Sequence, residues 1–200
     1  GRVDGIRRIV LDPARLGGKL HSDVAAFGEI HIEQGPVLEA EAIPLGVVSG
    51  IAGIARVRLR LEGEAGHAGT VPMNMRADAG MAMSRLLLSL RDAARAEAEK
   101  GRGHFTATIG VIKFEPNGAN VVPGAAEAIV DIRAENDVAM DDYLAAIDTL
   151  AQNAASAEGC RVAATDRLSR TFAVLCDPRL QNTIREAAEV HGLATRPLAS

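Results

Sequence analysis

The segment EIHIEQGPVLE near the start of the chain places a histidine among acidic side chains, a composition that suits a metal ligand. Polar and isoleucine side chains alternate from residue 29 to residue 33, so a strand here would present His31 and Glu33 on one face. A Gly-Pro pair directly after Gln34 would end that strand. Such a strand could direct His31 into a cleft as a ligand, and the same alternation is also typical of an ordinary edge strand.

Three further polar side chains lie where a substrate could meet them. His67 stands in GEAGHAGTVPM, a loop whose small residues let a ligand come close, although a loop histidine can also be simply exposed. Asn120 stands in NGANVVPG, where asparagine also serves as a turn former. Arg133 ends a strand-like segment on the same face as Asp131. It is either solvated there or, if a partner covers the face, able to hold a carboxylate through two parallel hydrogen bonds.

The elements that must position these residues follow from the spacing of the apolar side chains. IARVRLRLE, from Ile54 to Glu62, alternates apolar residues with arginine and predicts a half-buried strand. After the His67 loop, apolar residues recur at helical spacing and predict an amphipathic helix that could cover this strand. They are Met83, Leu86, Leu87 and Leu90.

The rest of this unit is predicted in the same way. HFTATIGVIKFE and AAEAIVDIRAE are two strand candidates separated by turn-forming residues. A second amphipathic helix runs from about 138 to 157, with Asn136 or Asp137 as its N-cap and Gly159 just past its end. A short strand is expected near residues 160 to 165.

The order strand, helix, strand, strand, helix, strand predicts an α+β fold. It is typical of a ferredoxin-like βαββαβ unit, in which two helices cover one face of a four-stranded antiparallel sheet. The open face and the sheet edge would meet either water or a second copy of the chain. We expect residues 46–170 to hold this unit, inserted into a second domain whose two flanks are residues 1–45 and 171–200.

The composition restricts the partners that the chain can have. With 48% hydrophobic and 24% charged residues, a packed core is expected. A formal net charge of -4, four phenylalanines, one tyrosine and no tryptophan argue against a nucleic-acid partner, which needs a basic or base-stacking surface. Apolar stretches are too short to span a bilayer and no secretory leader is evident, so we expect no membrane partner and a cytoplasmic protein.

Four motifs, HIEQGPVLE, GHAGTVPM, NVVPG and DIRAE, occur in this order along the chain. They closely resemble a family of binuclear-metal amidohydrolases that comprises N-carbamoyl-L-amino acid hydrolase, allantoate amidohydrolase and β-ureidopropionase, relatives of aminoacylase and carboxypeptidase G. The resemblance extends from about Asp4 to Ser200. It implies that the ferredoxin-like unit is a lid and dimerisation domain, inserted in remnants of an α/β zinc-exopeptidase-like catalytic domain, and that the protein is a homodimer.

The resemblance also implies an activity and a role for each candidate residue. The reaction would be hydrolysis of the carbamoyl C–N bond of a small carboxylate substrate, an N-carbamoyl-L-amino acid or allantoate, with two divalent zinc or manganese ions as cofactors. His31 would bind one ion, and Gln34 would lie beside the ureido group. The motif positions His67, Asn120 and Arg133 would reach into the active site of the other subunit. His67 would stabilise the developing oxyanion there, while the other two would hold the substrate carboxylate.

The chain departs from this family in the metal site. The family's remaining ligands, a histidine, a bridging aspartate and a glutamate, and its general-base glutamate would precede residue 1, and a last histidine would follow residue 200. Among the five histidines, only His31 stands in a ligand motif, and one imidazole does not hold two ions. We therefore expect a fragment that is inactive and binds no metal by itself. The alternative function is an isolated dimerisation module without catalytic activity.

Overall fold

The computed structural model describes residues 26–200 of the chain. Residues 35–200 form one compact unit, and residues up to 34 belong to another. In chain order, the elements are α1 (Val37–Ala40), β1 (Leu45–Ile51), β2 (Gly53–Glu62), β3 (Gly66–His67), α2 (Ala79–Glu99), β4 (Phe105–Glu115), β5 (Val121–Val122), β6 (Ala125–Ala134), α3 (Asp137–Ala157), β7 (Arg161–Arg170), β8 (Val174–Leu175), α4 (Pro178–Val190) and β9 (Thr195–Ala199).

The main sheet has the strand order β4-β6-β2-β7, and every neighbouring pair is antiparallel. Helices α2 and α3 pack on one face, so the chain has the mixed α and β composition that the sequence predicts. The core lies between this face and the two helices because the apolar side of β2 points towards them. Its fully buried members include Val57, Leu59, Leu61, Met83, Leu86, Leu90, Met140 and Ile147.

Side-chain caps fix where the two long helices begin. The Asp78 carboxylate accepts hydrogen bonds from the backbone N–H groups of Gly80 and Met81 at the start of α2. Asn136, one of the two predicted N-caps of α3, accepts from the N–H of Ala139. Gly159, just past the end of α3, has a φ of +66°, the left-handed conformation that favours glycine.

Charged side chains occupy the sheet face that the helices leave open. Arg56, Arg58 and Arg60 of β2 point to this face. Their carboxylate partners are Asp131 at 2.8 Å, Asp166 at 2.7 Å and Glu115 at 2.8 Å. This composition suits a face that meets water, and such exposed pairs each contribute little to stability.

A smaller sheet joins the strand that precedes the main sheet in the chain to the two strands that follow it. Its order is β8-β1-β9, with β1 parallel to β9 and antiparallel to β8, and α4 packs beside it. The helix and the strand predicted after residue 171 are both present, as α4 and β9. Strand β1 thus pairs with the C-terminal flank of the chain.

Two predicted strands differ from the structure. The strand expected over residues 29–33 is absent, since residues 26–33 pair with no strand in the described part of the chain and Ile30 is fully exposed. Alternation alone does not make a strand without a neighbour to share its hydrogen bonds. The last strand of the main sheet, expected near 160 to 165, runs from Arg161 to Arg170, because pairing with β2 continues past the apolar pattern.

Glu97, near the end of α2, is only 4% exposed and anchors an ion-pair network. Its carboxylate accepts from Lys100 Nζ at 2.8 Å and Arg102 Nη2 at 2.5 Å, and Arg102 also contacts Asp142 of α3 at 2.7 Å. Burial alone would raise the pKa of Glu97, but the hydrogen bonds from Lys100 and Arg102 outweigh it and hold the pKa below its ordinary value. The charged carboxylate therefore stabilises the fold. This contribution is present above the ordinary pKa of 4.5 and is lost as the pH falls through the folded-state pKa.

Replacing Glu97 with glutamine should lower the free energy of unfolding by about 2 kcal/mol at pH 7, because hydrogen bonds to a charged group are lost. Denaturant titrations at pH 7 and pH 3 would measure it, and the difference from wild type should narrow at pH 3, because this stabilisation declines as the pH falls below the ordinary pKa of 4.5. Glu99→Gln, an exposed position two residues along the same helix, is the control and should change little. An equal deficit at both pH values would contradict the ion-pair account.

Candidate functional site

The structure brings the His67 loop and the Asn120 turn together. Strand β3 pairs antiparallel with β5, so that His67 lies opposite Val121. The backbone N–H of Ala68 donates to the carbonyl oxygen of Asn120 at 2.9 Å. This small ladder continues the β2–β6 pairing past the end of the main sheet, where Glu62 is opposite Ala125. Two of the predicted site residues are thus neighbours at one end of the domain.

The His67 ring is exposed but oriented by its own loop. Its Nδ1 atom accepts a hydrogen bond from the backbone N–H of Gly69 at 3.1 Å. The carbonyl oxygen of His67 accepts from Thr70 at 3.2 Å and from Val71 at 3.1 Å, which closes a tight turn directly after the ring. No residue in the described part of the chain hydrogen-bonds to Nε2, so this nitrogen faces outward and can meet a ligand.

The Arg76 side chain donates hydrogen bonds to two backbone carbonyls of this turn, a role that the sequence did not predict. Its Nε donates to the Val71 carbonyl at 3.1 Å, and its Nη2 donates to the Ala68 carbonyl at 2.7 Å. Arg76 is half-buried, unlike the exposed His67. It is one of 22 basic residues, and nothing in its spacing distinguishes it. The only sequence signal is its position two residues before the cap of α2, where the loop returns to the sheet.

Arg133 lies at the other end of the sheet. It pairs with Ile54 of β2 and with Thr106 of β4, next to the residues where the chain enters and leaves the main sheet. Ala125 lies eight positions earlier on β6, and the rise of an extended strand makes this distance ~27 Å. The structure therefore does not bring Arg133 to His67 and Asn120.

The Arg133 guanidinium is half-exposed and paired on the open face of the sheet. Its Nε lies 2.7 Å from an Asp131 oxygen, and Arg56 contacts the other oxygen of Asp131 at 2.8 Å. Burial would raise the pKa of Asp131, but the hydrogen bonds from Arg133 and Arg56 outweigh it and lower the pKa. The strand alternation that placed Arg133 with Asp131 on this face is confirmed.

A junction between the two sheets lies two residues beyond Arg133. The Ser49 hydroxyl of β1 is 2.6 Å from one Glu135 oxygen, and the backbone N–H of His104 donates to the other oxygen at 3.1 Å. The Ser49 hydrogen bond, followed by that of His104, holds the pKa of Glu135 below its usual range. Glu135 thus links the end of β6 to the small sheet, so the Arg133 end of the main sheet borders the small sheet.

His31 and Gln34 belong to the other compact unit. Both are exposed, and Nδ1 of His31 lies 2.6 Å from the carbonyl oxygen of Ile32. Gln34 has a φ of 55°, where the chain turns before α1. Among residues 26–200, no group of three or more histidine, cysteine, aspartate or glutamate side chains could hold a metal ion. The described residues therefore do not by themselves fit a binuclear metal site. None of the helices in the same range is long and apolar enough to cross a bilayer.

His67, Asn120 and Arg133 lie within a part of the chain that matches a known domain. Residues 49–158, more than half of the chain, match the family model of the peptidase dimerisation domain. The chain belongs to the peptidase dimerisation domain family. His67, Asn120 and Arg133 thus all lie within the residues that match this family model.

Two relatives of this chain are named amidohydrolases. The chain is 33% identical over 189 residues to an N-carbamoyl-L-amino acid amidohydrolase of Geobacillus stearothermophilus, covering 94% of this chain and 44% of the relative. It is 34% identical over 179 residues to an allantoate amidohydrolase of Bacillus subtilis (strain 168), covering 90% of this chain and 42% of the relative. The resemblance read from the four motifs is confirmed.

Solved structures agree with this relationship. A hydantoinase/carbamoylase family amidase from Burkholderia ambifaria superposes with a TM-score of 0.80 at 33% identity, covering 85% of this chain and 40% of that one. The chain thus spans less than half the length of each relative. The relatives are hydrolases of amide C–N bonds, and this chain matches only part of each.

Proposed function

We propose that the chain is part of a metal-dependent amidohydrolase that cleaves the ureido C–N bond of an N-carbamoyl-L-amino acid or of allantoate. The observation that supports this most directly is the exposed pair of His67 and Asn120, held side by side on a dimerisation domain whose relatives carry these activities. In this proposal, Nε2 of His67 donates a hydrogen bond to the carbonyl oxygen that becomes negative during attack. Asn120 and Arg133 bind the substrate carboxylate.

The distance between His67 and Arg133 within one chain limits how they can act on the same substrate. A small substrate cannot contact His67 and Arg133 of the same copy across ~27 Å of sheet. Arg133 lies near the small sheet of its own chain, whereas His67 lies at the far end of the domain. We therefore propose that each active site combines Arg133 of one subunit with His67 and Asn120 of its partner. This revises the expectation that all three reach into the other subunit's site.

We also propose that the main sheet is a ferredoxin-like lid inserted in an α/β zinc-exopeptidase-like catalytic domain to which the flanks 1–45 and 171–200 belong. The pairing of β1 with β8 and β9 supports this, and we propose a junction near Ala52, a few residues inside the predicted boundary. Val174 and Leu175 of β8, and Phe172 just before this strand, are more than 60% exposed. Apolar surface of this kind is typical of a sheet that further protein covers.

In the whole protein, we propose that His31 binds one of two divalent ions, zinc or manganese, and that Gln34 lies beside the ureido group. When bound, such ions would lower the pKa of a bridging water and polarise the carbamoyl carbonyl. One imidazole does not hold them, so the remaining ligands would come from other parts of the whole protein. The contribution of the described residues is to orient the substrate and to stabilise its oxyanion.

The homodimer is proposed to form through strand β4 and the adjacent helix α2. Strand β4 is an edge of the sheet, and from Phe105 to Ile112 it carries no charge. Ile112 lies on the helix side of this edge and is nevertheless 45% exposed. The opposite edge, β7, is rich in charged residues, a feature that discourages edge pairing. An uncharged edge with exposed apolar side chains suits a two-fold contact with a second copy.

Ile112→Lys should convert the dimer to a monomer, because it buries a charge in the contact and blocks edge pairing. Leu168→Lys is a matched control: Leu168 is 47% exposed on the opposite edge strand, and its substitution should leave the dimer intact. Light scattering at several protein concentrations measures both. Loss of the dimer in the Leu168 variant alone would place the contact on β7 instead.

The activity is tested with the full-length protein, assayed for ammonia release from N-carbamoyl-L-amino acids and allantoate with zinc or manganese added. Turnover of one of these substrates is the expected result. If a correctly folded, metal-loaded dimer releases no ammonia from any of them, the hydrolase proposal fails. The alternative, an association module without activity, then accounts for the chain, since it requires only the dimer.

A further inference from the structure

The position of the proton on the His67 ring follows from the contact that the ring makes with its own loop. Nδ1 accepts the Gly69 N–H at 3.1 Å, so Nδ1 presents its lone pair to that donor. In a neutral imidazole only one nitrogen carries hydrogen, and an accepting Nδ1 leaves the proton on Nε2. The outward nitrogen of His67 is therefore a hydrogen-bond donor. The opposite tautomer would present a lone pair to the developing oxyanion and repel it.

The Gly69 N–H can act in this way only if the turn keeps its shape. Arg76 binds the carbonyl oxygens of Ala68 and Val71, at 2.7 Å and 3.1 Å, on either side of Gly69. The planar guanidinium fixes two acceptors at once, which a single ammonium group cannot do with the same geometry. Gly69 also provides room, since a Cβ there would lie 3.2 Å from Cε1 of His67.

We propose that Arg76 is a positioning residue that holds the Gly69 N–H against Nδ1 of His67 and so keeps this histidine as the Nε2–H tautomer. The consequence of this tautomer for catalysis rests on the proposed function, in which Nε2 donates to the substrate oxygen. The tautomer itself is independent of the proposed function, because three contacts within the loop determine it.

Long-range ¹H–¹⁵N correlation spectra of the ¹⁵N-histidine-labelled chain at pH 8.5, where imidazole rings are neutral, report the tautomer directly. His67→Gln assigns the His67 signals among the five histidines. Wild type should show a single Nε2–H species. Arg76→Gln should show a mixture of tautomers and about five- to tenfold faster amide exchange at Gly69. Arg76→Lys should fall between the two.

Arg91→Gln is the matched control, because Arg91 is an exposed arginine paired with Asp92 on α2, and both readouts should stay at wild-type values. An Nδ1–H species in wild type, or unchanged spectra and exchange in a folded Arg76→Gln variant, overturns the proposal. If Arg76→Gln does not fold, Arg76→Lys decides, and a single Nε2–H species with wild-type exchange at Gly69 in that variant would overturn the proposal. Neither readout depends on turnover, so failure here is distinct from an absence of ammonia release.

Discussion

His67→Ala in the full-length enzyme is expected to lower kcat about 100- to 1,000-fold, the cost of removing one preorganised oxyanion donor. The residue is exposed, and its ring makes only a local contact with the Gly69 N–H, so the fold and the dimer should not change. KM should change less than kcat, because the lost interaction strengthens as charge develops on the carbonyl oxygen. Steady-state ammonia release and circular dichroism of the same preparation measure these effects.

Substitutions of two other histidines serve as comparisons for this result. His191→Ala replaces an exposed histidine at the end of α4 and should leave kcat unchanged. His31→Ala should lose bound metal, measured by elemental analysis, whereas His67→Ala should keep its full metal content. A His67→Ala enzyme with wild-type kcat would remove the oxyanion role. One with depleted metal would make His67 a ligand instead.

Local patterns predicted the main sheet because each strand and helix has one apolar side. The alternation in β2 and the helical spacing in α2 follow directly from which side faces the core. The N-cap at Asn136 and the glycine at 159 could also be predicted from the sequence, since both depend on a few adjacent residues. The segment at 29–33 shows the limit of such patterns. Its alternation is as regular, but a strand exists only where another strand accepts its hydrogen bonds.

The sequence predicted which residues belong to the candidate site, but it did not predict how they are arranged in space. That His67 and Asn120 are neighbours depends on the pairing of β3 with β5, two strands of two residues each that lie far apart in sequence. That Arg133 is distant from both depends on the length of β6, which only the register with β2 makes clear. Arg76 acts on backbone carbonyls of a turn, and no periodicity marks such a contact. These features are long-range, so no local pattern contains them.

Mixing two inactive variants should restore activity if each site draws residues from both subunits. Arg133→Ala and His67→Ala enzymes, unfolded and refolded together, give heterodimers in which one site has an intact Arg133 from its own chain and an intact His67 from the partner. The other site lacks both. With random pairing, half of the dimers are mixed and one of their two sites works, so activity should reach about a quarter of wild type.

The control mixture combines His67→Ala with Asn120→Ala. These residues lie together on β3 and at the start of β5, so one copy supplies both to the same site, and every site in a mixed dimer lacks one of them. Mixing should therefore restore nothing. Recovery in this control, or none with the Arg133 variant, would mean that the residues are not divided between subunits as proposed. The contrast depends only on the ~27 Å that separates the two ends of β6, a distance set by strand geometry rather than by any side-chain position.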